Sequence, residues 1–185
     1  MTMEKKYRLL ENDTITVRGM TLFRIEALKD FADVKRGDKG GYVEKEENLS
    51  HEGNCWVSGT ARVFDTAWVS DNACVSDNAR VFDTARVLGT ARVLGNARVL
   101  GTARVLDNAR VFGNAWVAGN ACVFGSAWVA GNACVYGSAW VAGNACVYGN
   151  ARVLDTARVL GNAYVLGNAY VFGNAQISNG IITNV

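Results

Sequence analysis

The sequence predicts an all-β protein, a parallel β-helix of hexapeptide repeats with a small N-terminal β cap. Valine recurs at every sixth position from Val57 to Val171, and alanine at every sixth position from Ala61 to Ala175, 20 times each without a gap. Gly or Asp always stands two positions before these alanines, and Asn, Thr or Ser directly before them. The chain also has 20 glycines and no proline.

A period of six fits a short strand followed by a tight corner. An α-helix, with about 3.6 residues per turn, would spread such a series around its whole surface. Gly, Asp and Asn tolerate the left-handed backbone angles that a corner requires. Valine and alanine lie two positions apart across each strand and therefore point to the same side, the core. Three hexapeptides then form one triangular coil of about 18 residues, and the missing proline suits strands that all join ladders.

The pattern divides the chain into three segments. Residues 1–50 lack hexapeptides and contain short strand-like runs, so they form the predicted β cap over the first coil. Residues 51–176 form the predicted β-helix, and residues 177–185 a C-terminal cap or tail. The repeat ends where Ile181 stands in the alanine column, and the short apolar tail either folds over the last coil or leaves it open for pairing.

Composition excludes several classes of protein. The formal net charge is +2, which does not indicate a nucleic-acid binder. No apolar run approaches the length of a membrane helix, and the first residues have no signal-peptide core. The five cysteines, an odd number, fit reduced thiols in the cytoplasm. We expect no membrane association and no cofactor.

The 20 phrases from Val57 to Ala175 resemble the left-handed parallel β-helix superfamily of hexapeptide-repeat proteins. The head "TLFRIEALKDFADVKRGDKGGYVEKEENLSHEGNCWV", residues 21–57, is similar to the start of YdcK-like bacterial and prophage proteins, which are labelled transferases on fold alone. The resemblance implies the left hand and the three-sided coil. Many members of the superfamily are trimeric acyltransferases with a histidine base in the cleft between subunits, and some are zinc carbonic anhydrases with three histidine ligands.

This chain offers few residues for such chemistry. His51 is its one histidine; it precedes the regular repeat and is the only catalytic candidate, although a capping role also fits it. The unbroken valine series leaves no room for a catalytic loop. Cys122, Cys134 and Cys146 are 12 residues apart, fall on different faces and form no metal site.

The outward positions carry an alternation of large and small side chains. Trp116, Trp128 and Trp140 alternate with cysteines, and each is followed after its valine by alanine, whereas Tyr136 and Tyr148 follow the cysteine phrases. Since 12 does not divide into 18, this belt runs around all three faces. It reflects either repeat duplication with cross-strand packing or contacts with other subunits.

Residues 18 apart should stack in columns. One column predicts a structural amide ladder, composed of Asn78, Asn96, Asn114, Asn132, Asn150 and Asn168. Another places Arg80 and Arg98 above one another, which favours a solvated face or pairing between subunits over a surface that tracks phosphates.

These observations predict a non-enzymatic scaffold or protein-interaction module that self-associates, as a trimer through its faces or as a tail-to-tail dimer. The candidate contact residues are Trp116, Trp128, Trp140, Tyr136, Tyr148, Arg80, Arg98, Ile181 and Ile182. Two alternatives remain: a divergent acyltransferase with its site at a subunit cleft, and a phage-encoded binder of an unidentified host factor, either a protein or a nucleotide.

Overall fold

The computed structural model describes residues 4–183 and is a three-sided parallel β-solenoid. Its N-terminal region is a hairpin of β1 (Tyr7–Val17) and β2 (Met20–Ala27), followed by β3 (Lys39–Val43) and a single 3-10 turn (Glu46–Asn48). Strand β3 runs antiparallel to β2, and parallel to the first coil strand of its side. Stacked coils follow, and every strand in them is two residues long. The first three residues of the predicted cap and the last two of the predicted tail lie outside the described part.

Each side of the solenoid is one parallel sheet whose neighbouring strands come from successive coils. The first side continues from β3 through β5 (Arg62–Val63), β8 (Arg80–Val81), β11 (Arg98–Val99), β14 (Trp116–Val117), β17 (Cys134–Val135), β20 (Arg152–Val153) and β23 (Tyr170–Val171). The second side comprises β4 (Trp56–Val57), β7 (Cys74–Val75), β10 (Arg92–Val93), β13 (Arg110–Val111), β16 (Trp128–Val129), β19 (Cys146–Val147), β22 (Tyr164–Val165) and β25 (Ile181–Ile182). The third side comprises β6 (Trp68–Val69), β9 (Arg86–Val87), β12 (Arg104–Val105), β15 (Cys122–Val123), β18 (Trp140–Val141), β21 (Arg158–Val159) and β24 (Gln176–Ile177).

The core consists of the valine and alanine columns that the sequence predicts. All 20 repeat alanines from 61 to 175 except the last, and all the repeat valines from 57 to 171, are buried. Backbone hydrogen bonds join each coil to the next, as when the Arg98 amide donates to the Ala115 carbonyl at 2.9 Å. The hydrophobic core is therefore continuous along the axis, and each coil depends on its neighbours for burial.

The corners lie where the Gly-or-Asp position predicts them. Asp77 has φ 62° and Gly131 has φ 70°, both in the left-handed region. At the aspartate corners the carboxylate also accepts a hydrogen bond from the backbone of the next coil; the Gly95 amide donates to Asp77 Oδ2 at 2.8 Å. Aspartate thus combines a tolerated left-handed conformation with an added link between coils.

The N-terminal end of the solenoid is closed by side chains from outside the repeat. Lys6 is fully buried, and its Nζ donates to the carbonyl oxygens of Cys55 at 2.9 Å, Gly53 at 3.3 Å and Glu52 at 3.4 Å. Asn48 is also buried, and its amide donates to the carbonyls of Asp65 and Ala67. These donors take the place of the amides that a preceding coil would supply.

The β1–β2 hairpin also covers part of the first side. Leu22 and Tyr42 form a second apolar cluster with Phe64 and Phe82, whose rings stack 5.0 Å apart. The hairpin therefore does more than close the end of the helix, because it reaches across the outer surface of the first coils.

The C-terminal end differs from the prediction for Ile181. A regular repeat would place this residue in the buried alanine column. Instead, Ile181 pairs with Tyr164 at the outward position and is 66% exposed, whereas Ile182 takes the inward position opposite Val165. The reason is a corner one residue shorter than in the repeat, with Gly180 at φ 91°, so the register steps by 17 residues instead of 18.

Candidate interaction surfaces

The three repeat tryptophans lie on the three sides of the solenoid. Trp116, Trp128 and Trp140 are on the first, second and third sides, and each is about two-fifths exposed. Each also packs against an arginine of an adjacent coil, which covers one face of the ring by a cation–π contact. The distances from guanidinium to ring centroid are 4.7 Å for Arg98 over Trp116, 5.2 Å for Arg110 over Trp128 and 4.9 Å for Arg158 over Trp140.

The sequence pattern did not predict these arginine–tryptophan contacts, although the 18-residue spacing places the two side chains together. Arg98 and Trp116 are 18 residues apart, as are Arg110 and Trp128, and strand pairing places both pairs side by side. The belt is therefore partly packed against itself. About two-fifths of each tryptophan remains exposed, together with Tyr136 and Tyr148 on the first and second sides.

The small residues of the belt fill space between the aromatic rings. Trp116 pairs with Cys134, Cys122 with Trp140 and Trp128 with Cys146, so large and small side chains alternate along each side. Burial raises the pKa of the Cys122 and Cys146 thiols, which keeps them protonated at neutral pH. Among residues 4–183 no group of His, Cys, Asp and Glu side chains is arranged to hold a metal ion.

Six asparagines form a continuous ladder along one corner. The Nδ2 of Asn96 donates to Asn114 Oδ1 at 3.0 Å, and the same contact repeats up the column at 3.0–3.2 Å. The members are Asn78, Asn96, Asn114, Asn132, Asn150 and Asn168. Thr60 extends the ladder by donating to Asn78. Because each amide is engaged with its neighbours, the column stabilises the stack of coils.

His51 is part of the N-terminal closure. Its ring stacks on Tyr7 with centroids 4.4 Å apart, and its Nδ1 accepts the Lys6 backbone amide at 3.1 Å. Its Nε2 is buried, lies 3.8 Å from Glu46 Oε2 and has no hydrogen-bond partner in the described part of the chain. Burial lowers the pKa of His51 despite the nearby Glu46 carboxylate. One ring nitrogen is thus committed to the backbone.

A groove lies between the 28–38 loop and the second side, with a volume of about 700 Å³. Trp56 lines the groove and packs edge-on against Phe31, with ring centroids 5.3 Å apart. Asp33, Cys74 and Arg92 line it. Sequence reasoning missed this groove because the loop that forms one wall lies outside the repeat.

The C-terminal coil presents an apolar end. Val171, Ile177 and Ile182 line a shallow depression of about 240 Å³ with Tyr170 and Phe172. Phe172 is 59% exposed. In earlier coils the residues equivalent to Tyr170 and Phe172 donate their amides to the next coil, as Arg152 and Leu154 do to Ala169 and Val171. Among residues 4–183 no further coil follows on this side to accept them.

The described part of the chain contains no helix with the length and apolar character needed to cross a bilayer.

Comparison with known proteins adds one short similarity. No family model matches the chain. A stretch of 60 residues is 38% identical to a protein of Escherichia coli (strain K12) named "Uncharacterized acetyltransferase YdcK". The stretch covers 29% of this chain and 18% of that protein, so the chain spans less than a fifth of its curated relative. The chain is a hexapeptide-repeat β-solenoid that shares this stretch of sequence with a protein named as an acetyltransferase.

Proposed function

We propose that the protein is a non-enzymatic β-helical module that associates with a second copy of itself through its C-terminal coil. The observation that carries the proposal is the apolar, unpaired end formed by Phe172, Ile177 and Ile182. A sheet edge of this kind is a template for pairing with another chain. Five free cysteines support a reducing compartment, the cytoplasm, as the place where the module acts.

A two-fold axis perpendicular to the solenoid axis, passing just beyond the C-terminal coil, would bring the two end coils together. The edge strands would then meet antiparallel, which lets the amides of one copy pair with the carbonyls of the other. The same contact would bury the exposed Phe172 and Ile181 side chains. The N-terminal end offers no equivalent surface, because Lys6 and Asn48 already satisfy the carbonyls there.

The arrangement around His51 supports a role without catalysis. A general base needs an unprotonated nitrogen facing the substrate. In His51 the lone pair of Nδ1 accepts the Lys6 backbone amide, so the neutral ring carries its proton on Nε2, which is buried, and the ring stacks on Tyr7. The surface belt supplies aromatic rings and arginines, which suit contacts with a macromolecule.

The test is the solution mass of the protein, measured by size-exclusion light scattering over a range of concentrations. We expect a dimer that the substitution Phe172→Lys converts to a monomer. Tyr148→Lys is the matched control, because Tyr148 is 57% exposed but lies on a side of the solenoid, and it should leave the dimer intact. A monomer at every concentration would overturn the proposal. A trimer unaffected by Phe172→Lys would also contradict it, because the subunits would then associate through the sides of the solenoid and not through the C-terminal coil.

The second candidate is a divergent acyltransferase, and the stretch shared with a protein named as an acetyltransferase favours it. Acetyl transfer from acetyl-coenzyme A to an amine or hydroxyl acceptor, abolished by His51→Ala in a folded protein, would establish it. We expect no transfer above the level seen without protein.

A further inference from the structure

Three arginines stand next to one another on the first side of the solenoid. Arg62, Arg80 and Arg98 belong to successive coils, and strand pairing places each directly beside the next. Stacked strands are about 4.8 Å apart, so the guanidinium groups form a row of like charges at close spacing. Such a row is unfavourable unless something compensates it.

The N-terminal hairpin adds a fourth arginine to this row. The turn between β1 and β2 places Arg18 at φ 52°, with its guanidinium 4.5 Å from the centroid of the Phe82 ring. Phe82 lies two residues from Arg80. Arg18 is therefore close enough to the Arg80 guanidinium to repel its charge, as Arg62 and Arg98 also do. The four residues Arg18, Arg62, Arg80 and Arg98 are called the arginine row below.

The environment of the row differs from that of the other repeat arginines. Arg62, Arg80 and Arg98 are half-buried beside the hairpin, whereas the remaining six are exposed. Those six are Arg86, Arg92, Arg104, Arg110, Arg152 and Arg158. Burial is the main cause that lowers the pKa of Arg80, and repulsion from the neighbouring arginines lowers it further. The hairpin therefore concentrates positive charge at one place on an otherwise regular surface.

No carboxylate of the described residues neutralises this charge. None lies within 4.0 Å of a guanidinium of the row. The corner carboxylates of Asp65 and Asp83 accept backbone amides of the next coil, at 3.2 and 2.9 Å. Asp13, on β1, instead has its carboxylate 3.6 Å from Lys39 Nζ and 4.0 Å from Arg24 Nε.

We propose that the arginine row is a binding site for a chain of linked phosphates. Guanidinium groups pair with phosphate oxygens in bidentate geometry, and their charge is never lost by deprotonation near neutral pH. Three members of the row, Arg62, Arg80 and Arg98, follow one another at a spacing of about 4.8 Å. This arrangement matches a linear polyanion better than a single compact anion, which would reach only part of the row. The ligand is either a free oligophosphate or the triphosphate of a nucleotide, whose base would lie near Trp116, the next residue in the column.

The test is isothermal titration of the full chain with inorganic tripolyphosphate in 150 mM salt, an ionic strength of roughly 0.15 M that screens diffuse surface attraction. We expect saturable binding that Arg80→Gln weakens about tenfold or more, the loss of one charge-assisted pair. Arg158→Gln is the matched control, since Arg158 is a repeat arginine paired with Trp140 and Gln176. It should change the affinity by less than about twofold.

Thermal unfolding provides a second readout. Without phosphate, Arg80→Gln should melt at the same temperature as the wild type or higher, because repulsion in the row is relieved. Tripolyphosphate should then raise the melting temperature of the wild type and of Arg158→Gln by similar amounts, and that of Arg80→Gln by a clearly smaller amount. If Arg80→Gln fails to fold, Arg98→Gln replaces it in both measurements.

The outcomes separate the sources of the phosphate chain. Equal affinity for ATP and tripolyphosphate would support a free oligophosphate, and tighter ATP binding that Trp116→Ala reduces would support a nucleotide. Absence of binding at millimolar tripolyphosphate would overturn the proposal. So would equal losses in Arg80→Gln and Arg158→Gln, since these would indicate diffuse attraction to net charge.

Discussion

The two ends of the solenoid face the same physical problem and meet it differently. At the N-terminal end, the buried Lys6 ammonium and Asn48 amide donate to carbonyls of the first coils. At the C-terminal end, Phe172 and Ile181 are exposed, and no strand of the described chain pairs with the outer edge of the last strand on each side. A repeat satisfies its own hydrogen bonds everywhere except at its ends, so any closure must come from residues that do not repeat.

The difference also shows why the closing residues are polar. A coil in the middle receives amide donors from its neighbour, and a hydrophobic lid alone would leave the carbonyls of the first coil unpaired. Lys6 provides several donors on a flexible stem, and Tyr7 adds its hydroxyl to the carbonyls of Glu46 and Leu49. The cap thus imitates the hydrogen bonding of a missing coil.

The largest expected effect comes from removing the Lys6 ammonium. Lys6→Met keeps much of the side-chain volume but leaves the Cys55, Gly53 and Glu52 carbonyls without this donor, so we expect a loss of about 3 kcal/mol in the free energy of unfolding. Lys5→Met is the control, because Lys5 forms an exposed ion pair with Glu46 and should cost less than about 1 kcal/mol. Equal losses in urea denaturation would contradict the role of Lys6.

A smaller effect should distinguish corners inside the stack from the corner at the open end. Gly131 and Gly173 both have positive φ, at 70° and 63°, but a Cβ on Gly131 would lie 2.9 Å from the Gly149 carbonyl oxygen, whereas Gly173 faces open space. We expect Gly173→Ala to lower the free energy of unfolding by about 1 kcal/mol, because alanine is strained at positive φ. Gly131→Ala should lower it by about 1 kcal/mol more, because its Cβ also meets the next coil.

The aspartate variant refines this comparison. Gly131→Asp should be less destabilising than Gly131→Ala, because aspartate occupies six corners at φ 58–62° and its carboxylate can accept an amide of the next coil. Melting temperatures of the three variants measure the order directly. An alanine variant at Gly131 as stable as the one at Gly173 would show that the stack relaxes around the corner.

The smallest expected effect is a dependence of stability on pH that arises at the closed end. The pKa of His51 is lowered by burial, so below about pH 6.5 the unfolded chain binds a proton that the folded chain does not. Stability should therefore fall as the pH drops from about 7.5 through 6.5. Glu46 stays ionised in this range, since Lys5 lowers its pKa.

His51→Gln should remove this slope, because the chain has no other histidine. The measurement is the urea midpoint at a series of pH values for both proteins. A wild-type midpoint that stays constant across the range would show that His51 titrates equally in the folded and unfolded states.

The repeat was predictable because each of its features depends on a short, recurring pattern. The burial of Val117 and Ala115, the left-handed corner at Gly131 and the amide contact of Asn96 with Asn114 all follow from a period of six and a coil of 18. The same spacing places Arg98 beside Trp116. Whether the guanidinium stacks on the ring also depends on the side-chain rotamers, which the register alone does not determine.

The features that escaped prediction depend on contacts that occur once. Nothing in the local sequence distinguishes Lys6, which is buried, from Lys5, which is exposed. The approach of Arg18 to Phe82 joins residues 64 positions apart through the path of a hairpin. The outward placement of Ile181 results from one missing residue in a corner, where register outweighs composition.

The hexapeptide repeat couples the length of the solenoid to the direction in which its far end points. Each added or deleted phrase turns everything beyond it by one side of the triangle and moves it by a third of the strand spacing, about 1.6 Å. A chain of this kind can change its length without changing its core. The orientation of its C-terminal strands relative to the N-terminal cap then changes as well. Two homologous solenoids that differ by one phrase would therefore present their terminal strands in different directions, and only insertions of three phrases would keep the same orientation.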